Sequence, residues 1–220
     1  MGIKLVSLFL LCATLAGCQS VAPNGPRIAD VGHGIEVSRQ AAWTVQEIGP
    51  PRGKHQYIWT VDGFALNEMV FTTGISRGDP IFPDPQDDYD LPVYHATMLP
   101  DEVMELVAAS LRKFGYQQLR TDSLHPVPFG TATGFRFSFT YTTDDGLEMK
   151  GTAVIAQRGG LDVILFTAPT EYYFDHYLPM VEDVFASIRV FDVDVTIPAC
   201  EFANALSLSF GCPTPKKTSN

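Results

Sequence analysis

The alternation of apolar and polar positions divides the chain into elements. Ile35 and Val37 alternate with Glu36 and Ser38, a short strand pattern. Residues 56–61 (Gln-Tyr-Ile-Trp-Thr-Val) form a fuller one, and Asp62-Gly63 predicts a turn into a strand from Phe64 to Ile75. Residues 78–96 carry Gly78, Pro80, Pro83, Pro85 and Pro92 with five aspartates, which predicts a long irregular loop. A helix follows. Pro100 suits its first turn, and Asp101 and Glu102 lie at the positive end of its dipole. Val103, Leu106, Val107, Leu111 and Phe114 share one face, and Arg112, Lys113 and Gly115 mark the end.

The next stretch has strand periodicity. Phe135, Phe137, Phe139 and Tyr141 alternate with Arg136, Ser138 and Thr140. Asp144-Asp145-Gly146 predicts a hairpin into Leu147–Gln157, and Arg158-Gly159-Gly160 a second turn. Leu161–Thr167 is apolar apart from Asp162, which predicts a strand covered on both faces. Thr170 is the expected cap of a short helical turn from Glu171. Pro179 is expected to break it, so the second helix is placed at Pro179–Ile188, with Val181, Val184, Phe185 and Ile188 buried. Residues 190–195 alternate like an edge strand. Hairpins join most of these strands. The expected fold is therefore α+β: a mainly antiparallel sheet of about five to seven strands packed with two principal helices. No internal repeat is visible.

The first residues are an address. Lys4 precedes an apolar run from Leu5 to Leu15, then the small Ala16 and Gly17. The run is too short to span a bilayer, which takes about 20 residues. Leu15-Ala16-Gly17-Cys18 resembles the lipobox of bacterial lipoproteins. The resemblance implies cleavage before Cys18 and acylation of its sulfur. Gln19, not Asp, at the next position implies sorting to the outer membrane, with the domain facing the periplasm. The alternative is a secreted soluble protein with an incidental Cys18. The expected organisation is a signal peptide over 1–17, lipidated Cys18 and a flexible tether over 18–33, the domain over 34–195, and a tail over 196–220. With Cys12 removed and Cys18 acylated, Cys200 and Cys212 remain and are expected to form one disulfide.

Composition narrows the function. The chain has 220 residues, 45% of them hydrophobic and 18% charged, with a net charge of −10. That balance argues against duplex nucleic acid and against electrostatic docking on anionic lipid. Gly74-Ile75-Ser76-Arg77-Gly78 matches the nucleophile elbow of α/β-hydrolases, but Asp79-Pro80-Ile81-Phe82-Pro83 cannot open the helix an elbow needs. Asp84, Asp88 and Asp90 match calcium-loop positions one, five and seven, yet Tyr89 stands where glycine is needed and His95 where glutamate is needed. The five histidines are scattered without metal-ligand spacing, and no phosphate-binding loop or cofactor motif is present. Tyr89, Tyr94 and His95 in the acidic loop, and Tyr173, His176 and Tyr177 at the second helix, are the candidate recognition surface. For the second group, the alternative is that the rings fill core while their polar tips hydrogen-bond at the sheet edge.

Three stretches are distinctive: Trp59-Thr60-x-Asp62-Gly63-x-x-Leu66-Asn67, Gly134-Phe135-Arg136-Phe137, and Ala168-Pro169-x-x-x-Tyr173-Phe174-x-x-Tyr177-Leu178-Pro179-x-Val181-Glu182. On these the chain resembles a family of proteobacterial lipoproteins over about residues 34–190. Its element order is also similar to the PsbP extrinsic proteins of photosystem II. The PsbP likeness implies an antiparallel sheet between helices, in a fold that serves varied assembly and binding roles. Neither resemblance brings a catalytic motif. The expected function is a lipid-anchored envelope protein with a non-catalytic binding or accessory role. It would be held to the membrane through Cys18, with an envelope protein as partner and no cofactor or metal. The alternatives are an envelope hydrolase using Ser76 and a small-ligand carrier.

Overall fold

Strand β10 (Leu161–Pro169), the run expected to be covered on both faces, lies inside an eight-stranded antiparallel sheet with every one of its residues buried. The structure is a computed structural model that describes residues 27–40, 42–48, 56–82 and 90–191. Cys18, Tyr89, Cys200 and Cys212 lie outside these residues, as do the expected signal peptide and the expected Cys200–Cys212 disulfide. The chain divides into two units after Val190, and the second is described only at Phe191.

The strands before the first helix are β1 (Arg27–Asp30), β2 (Ile35–Arg39), β3 (Thr44–Ile48), β4 (Gln56–Thr60) and β5 (Glu68–Ile75). Helix α1 (Pro100–Lys113) precedes β6 (Gln117–Thr121), β7 (His125–Phe129), β8 (Ala132–Thr142), β9 (Glu148–Gln157) and β10. Helix α2 (Tyr173–Ala186) and β11 (Arg189–Val190) complete the described order. The large sheet runs β3-β4-β5-β10-β9-β8-β6, with β7 also paired to β8, and β1-β2-β11 form a second sheet. Every pairing is antiparallel.

Side-chain alternation along β10 builds two cores. Leu161, Val163 and Leu165 join the cluster of Val103, Leu106, Val107 and Leu111 on α1, together with Phe137, Phe139 and Tyr141 of β8. Ile164, Phe166 and Ala168 join Phe174, Tyr177, Val181, Val184 and Phe185 of α2. Ile35 and Val37 of the small sheet, and Val31 in the turn between β1 and β2, belong to this second cluster. Each fully buried Leu, Ile or Phe contributes about 1.5–3 kcal/mol of transfer free energy. Both helices are therefore held chiefly by their apolar stripes: neither N-cap side chain bonds the helix, and at the start of α1 it is Glu102 that accepts the Leu99 N–H (2.7 Å).

Several expectations are corrected. The described residues hold eleven strands in two sheets, more than five to seven in one. The extra strands had no apolar alternation to reveal them. One residue in five is buried in β6, β7 contains Pro126 and Pro128, and β11 has two residues. β1 lies within the stretch expected to be tether, where its backbone pairs with β2. Phe64–Leu66 form a turn and not the start of β5, because the N–H groups of Leu66 and Asn67 both bond the Gly63 carbonyl (2.9 and 3.1 Å). Helix α2 runs unbroken through Pro179. Proline removes one N–H, the partner of the Asp175 carbonyl, and both residues are exposed, so water can solvate that carbonyl. Thr170 is not the cap. Its N–H bonds Glu148 at 2.9 Å and extends the sheet, and Tyr172 takes the cap position.

Candidate functional site

Among the described residues, the most exposed aromatic ring, Tyr172, lies at the N-terminal end of α2. Tyr172 has φ +71° and ψ −57°, and the Tyr173 N–H bonds the Glu171 carbonyl two residues back at 2.9 Å. This is the strained hand of the γ-turn, rare for a bulky residue. Burial does not compensate the strain, for Tyr172 is 66% exposed. Its ring stacks on exposed His176 (centroids 4.9 Å apart, planes at 16°) and meets Tyr173 edge-on at 5.3 Å. His176 meets Tyr177 edge-on at 4.7 Å.

Tyr177 anchors this cluster. Its ring is buried and its hydroxyl donates to Asp62 in the β4–β5 loop. That bond, followed by burial and the carboxylate charge, pushes the hydroxyl pKa up to about 12. The loop is shaped for the task. Thr60 Oγ1 donates to the Asn67 carbonyl (2.7 Å) and accepts the Gly63 N–H (2.9 Å), while Asn67 Oδ1 accepts the Val61 N–H (2.7 Å). The same loop exposes Phe64 at 45%.

The three distinctive stretches thus meet on α2. Asp62 from the first receives Tyr177 from the third. Arg136 from the second holds Glu182 from the third with both terminal nitrogens, at 2.6 and 2.8 Å. Arg136 also donates Nε to Thr152 (2.9 Å) and lies 5.2 Å over the Phe185 ring. These residues fix the helix that presents the aromatic cluster, a role that spacing alone did not reveal.

Ser76 is exposed just past β5, and its carbonyl accepts the Asp79 N–H (3.1 Å) in a turn. The chain continues into the Pro80–Val93 bridge and not into a helix, so the geometry is not a nucleophile elbow. His33 is engaged elsewhere: its Nδ1 lies 2.7 Å from Asp162 Oδ1. The fully buried Asp162 also accepts the Gly74 N–H (2.9 Å) and Arg158 Nε (3.1 Å), and Arg158 reaches the His33 carbonyl (3.0 Å). This network ties the β1–β2 turn to the ends of β5 and β10.

The candidate recognition residues do not form one surface. Tyr94 is 3% exposed, a correction to its place in that set. Its ring belongs to the α1-side core and its hydroxyl accepts Gln157 Nε2 (3.1 Å), so the chain around the acidic loop serves packing at this point. His95 is exposed beside it, whereas Tyr173, His176 and Tyr177 belong to α2. Of the calcium-loop positions, Asp90 and His95 are described and exposed, while Asp84 and Asp88 lie outside the described residues. Among the described residues no three His, Cys, Asp or Glu side chains gather as a metal site. No helix among them is long and apolar enough to cross a membrane.

No protein-family model and no curated protein matches this chain. The fold is similar to that of cyanobacterial PsbP (CyanoP) from Synechocystis sp. PCC 6803, with a TM-score of 0.51 at 16% identity, covering 80% of this chain and 99% of that one. It also matches the Saccharomyces cerevisiae Ran-binding protein Mog1p, with a TM-score of 0.47 at 9% identity, covering 76% of this chain and 95% of that one. At 16% identity the likeness to PsbP is one of fold alone.

Proposed function

We propose that this chain is an exported lipoprotein, held in the outer membrane through acylated Cys18. Its domain serves as a non-catalytic accessory module that docks an envelope protein at the Tyr172–His176 end of α2. Support for the anchor comes from Leu15-Ala16-Gly17-Cys18 behind an apolar run of signal length. The observation that carries the docking reading is Tyr172, an exposed aromatic ring held in a strained turn. Strain of about 1–3 kcal/mol persists where surrounding structure enforces it, and such residues cluster at functional sites. Tyrosine stacked on histidine offers a large contact area at low entropic cost.

Two experiments test the reading. Cys18→Ala abolishes palmitate labelling and releases the protein from membranes; unchanged retention refutes the anchor. A photo-crosslinking residue at position 172 gives one discrete product in intact cells, and the same residue at exposed Thr140 gives none. Equal labelling from both positions refutes the docking surface.

A further inference from the structure

On the α1 face of the sheet, away from the proposed docking surface, lies a cleft of about 250 Å³. Its walls are mostly apolar: Ile58, Val70, Leu111, Phe114 and Leu165. Three polar groups interrupt them: Gln56, Glu68 and Tyr116. The end of α1 places Tyr116. Gly115, at φ +89°, turns the chain, with the Gly115 N–H bonded to Arg112 (3.2 Å) and the Tyr116 N–H to Leu111 (3.3 Å). This paired closure sets the Tyr116 ring parallel to Tyr141, with centroids 4.0 Å apart.

Glu68 is half-buried and only loosely held by its protein neighbours. Tyr116 Oη and Thr167 Oγ1 both reach its Oε1, each only at 3.5 Å, well beyond the usual O–H···O range of about 2.5–3.0 Å. Its Oε2 has no donor among the described residues, and no Lys, Arg or His among them pairs with it. Gln56, four residues along the sheet from Glu68 by register, gives its amide N–H to Thr72 (3.2 Å). Burial pushes the Tyr116 hydroxyl strongly up, so it remains protonated and does not compete as an anion.

We infer that this cleft binds a small organic cation, a primary amine with an apolar body. Its ammonium group meets Glu68 Oε2, and its body lies against Leu111, Phe114 and Leu165. A half-buried carboxylate among apolar walls selects positive charge, since a charge-assisted hydrogen bond is roughly twice as strong as a neutral one. Aromatic walls add cation–π attraction. One carboxylate among apolar side chains cannot coordinate a metal ion, which needs several oxygen or nitrogen ligands. The volume falls below the usual range of about 300–1,000 Å³ for drug-sized ligands, which limits the body to about one ring.

The test is calorimetric titration of the full chain in detergent with benzylamine, benzyl alcohol and benzoate, which share one ring and differ in charge. Benzylamine is expected to bind, and the alcohol and the anion at least about tenfold more weakly. Glu68→Gln, which keeps shape and folding, is expected to lose benzylamine binding by about tenfold or more. Ile58→Phe narrows the cleft without touching the carboxylate and is expected to weaken binding too. Equal binding of all three probes, no binding of benzylamine, or full binding by Glu68→Gln overturns the inference. The readout needs neither Cys18 acylation nor Tyr172, so its failure leaves the docking reading standing.

Discussion

Arg136 on β8 grips Glu182 on α2 through two parallel hydrogen bonds, 2.6 and 2.8 Å long. The pair joins two stretches that sequence separates by 46 positions, and it fixes the rotation of the helix that displays Tyr172. Arg136 is largely buried beneath this contact and also holds Thr152.

Arg136→Lys keeps the charge but loses the fork and the contact over Phe185. The expected cost is about 1 kcal/mol, with a coupling to Glu182→Gln of about 0.5–1 kcal/mol in a double-mutant cycle, because Glu182 is partly exposed and screened. Additive losses in urea unfolding would show that the two residues act independently.

Asp162 is fully buried and receives Gly74, His33 and Arg158. Asp162→Ala strands a guanidinium and a backbone N–H in the protein interior. Removing one partner of such a set costs about 3–5 kcal/mol, enough to unfold many domains. His33→Ala, at a partly exposed side chain, is expected to cost about 1 kcal/mol. Denaturant midpoints for the two variants check this order, and equal losses contradict it.

Tyr172 gives an unusual expectation for glycine. Tyr172→Gly relieves the γ-turn strain of about 1–3 kcal/mol, which outweighs the chain entropy that glycine adds, about 0.5–1 kcal/mol. Melting temperature should rise. Tyr172→Ile, β-branched in the same left-handed conformation, should lower it. A fall in melting temperature for Tyr172→Gly shows that the stacked ring, and not the strain, dominates.

Burial holds the Glu68 carboxyl above the ordinary carboxylate range, with the Tyr116 and Thr167 hydroxyls opposing the shift. The folded state therefore prefers the protonated form. That contribution is fully present below the unfolded value of about 4.3 and is lost as pH rises through the higher folded value. Glu68→Gln keeps the group neutral throughout. The two proteins are expected to melt together near pH 4, and the variant to melt higher at pH 7. A variant no more stable than the parent at pH 7 overturns this assignment.

Legibility followed periodicity. Helix α1 matches its expected start at Pro100 because proline, acidic first turn, apolar stripe and terminal glycine all agree. The β8–β9–β10 meander lies where Phe137, Phe139 and Tyr141, Asp144-Asp145-Gly146 and Arg158-Gly159-Gly160 put it. β6, β7 and β1 were illegible because they are edge or near-edge segments, paired through backbone groups that every residue carries. Helix α2 crossed Pro179 because Phe174, Tyr177 and Val181 bury a continuous stripe, and tertiary packing outweighs one lost hydrogen bond.

By itself the sequence determined the α+β class, the first helix and the central meander, all features written in local pattern. The tertiary structure alone decided which polar groups meet: Asp62 with Tyr177, Arg136 with Glu182, His33 with Asp162, and Glu68 with Tyr116. Such pairs join residues distant along the chain, and no periodicity encodes them. They arise where sheet register and helix placement converge, which only the packed fold specifies.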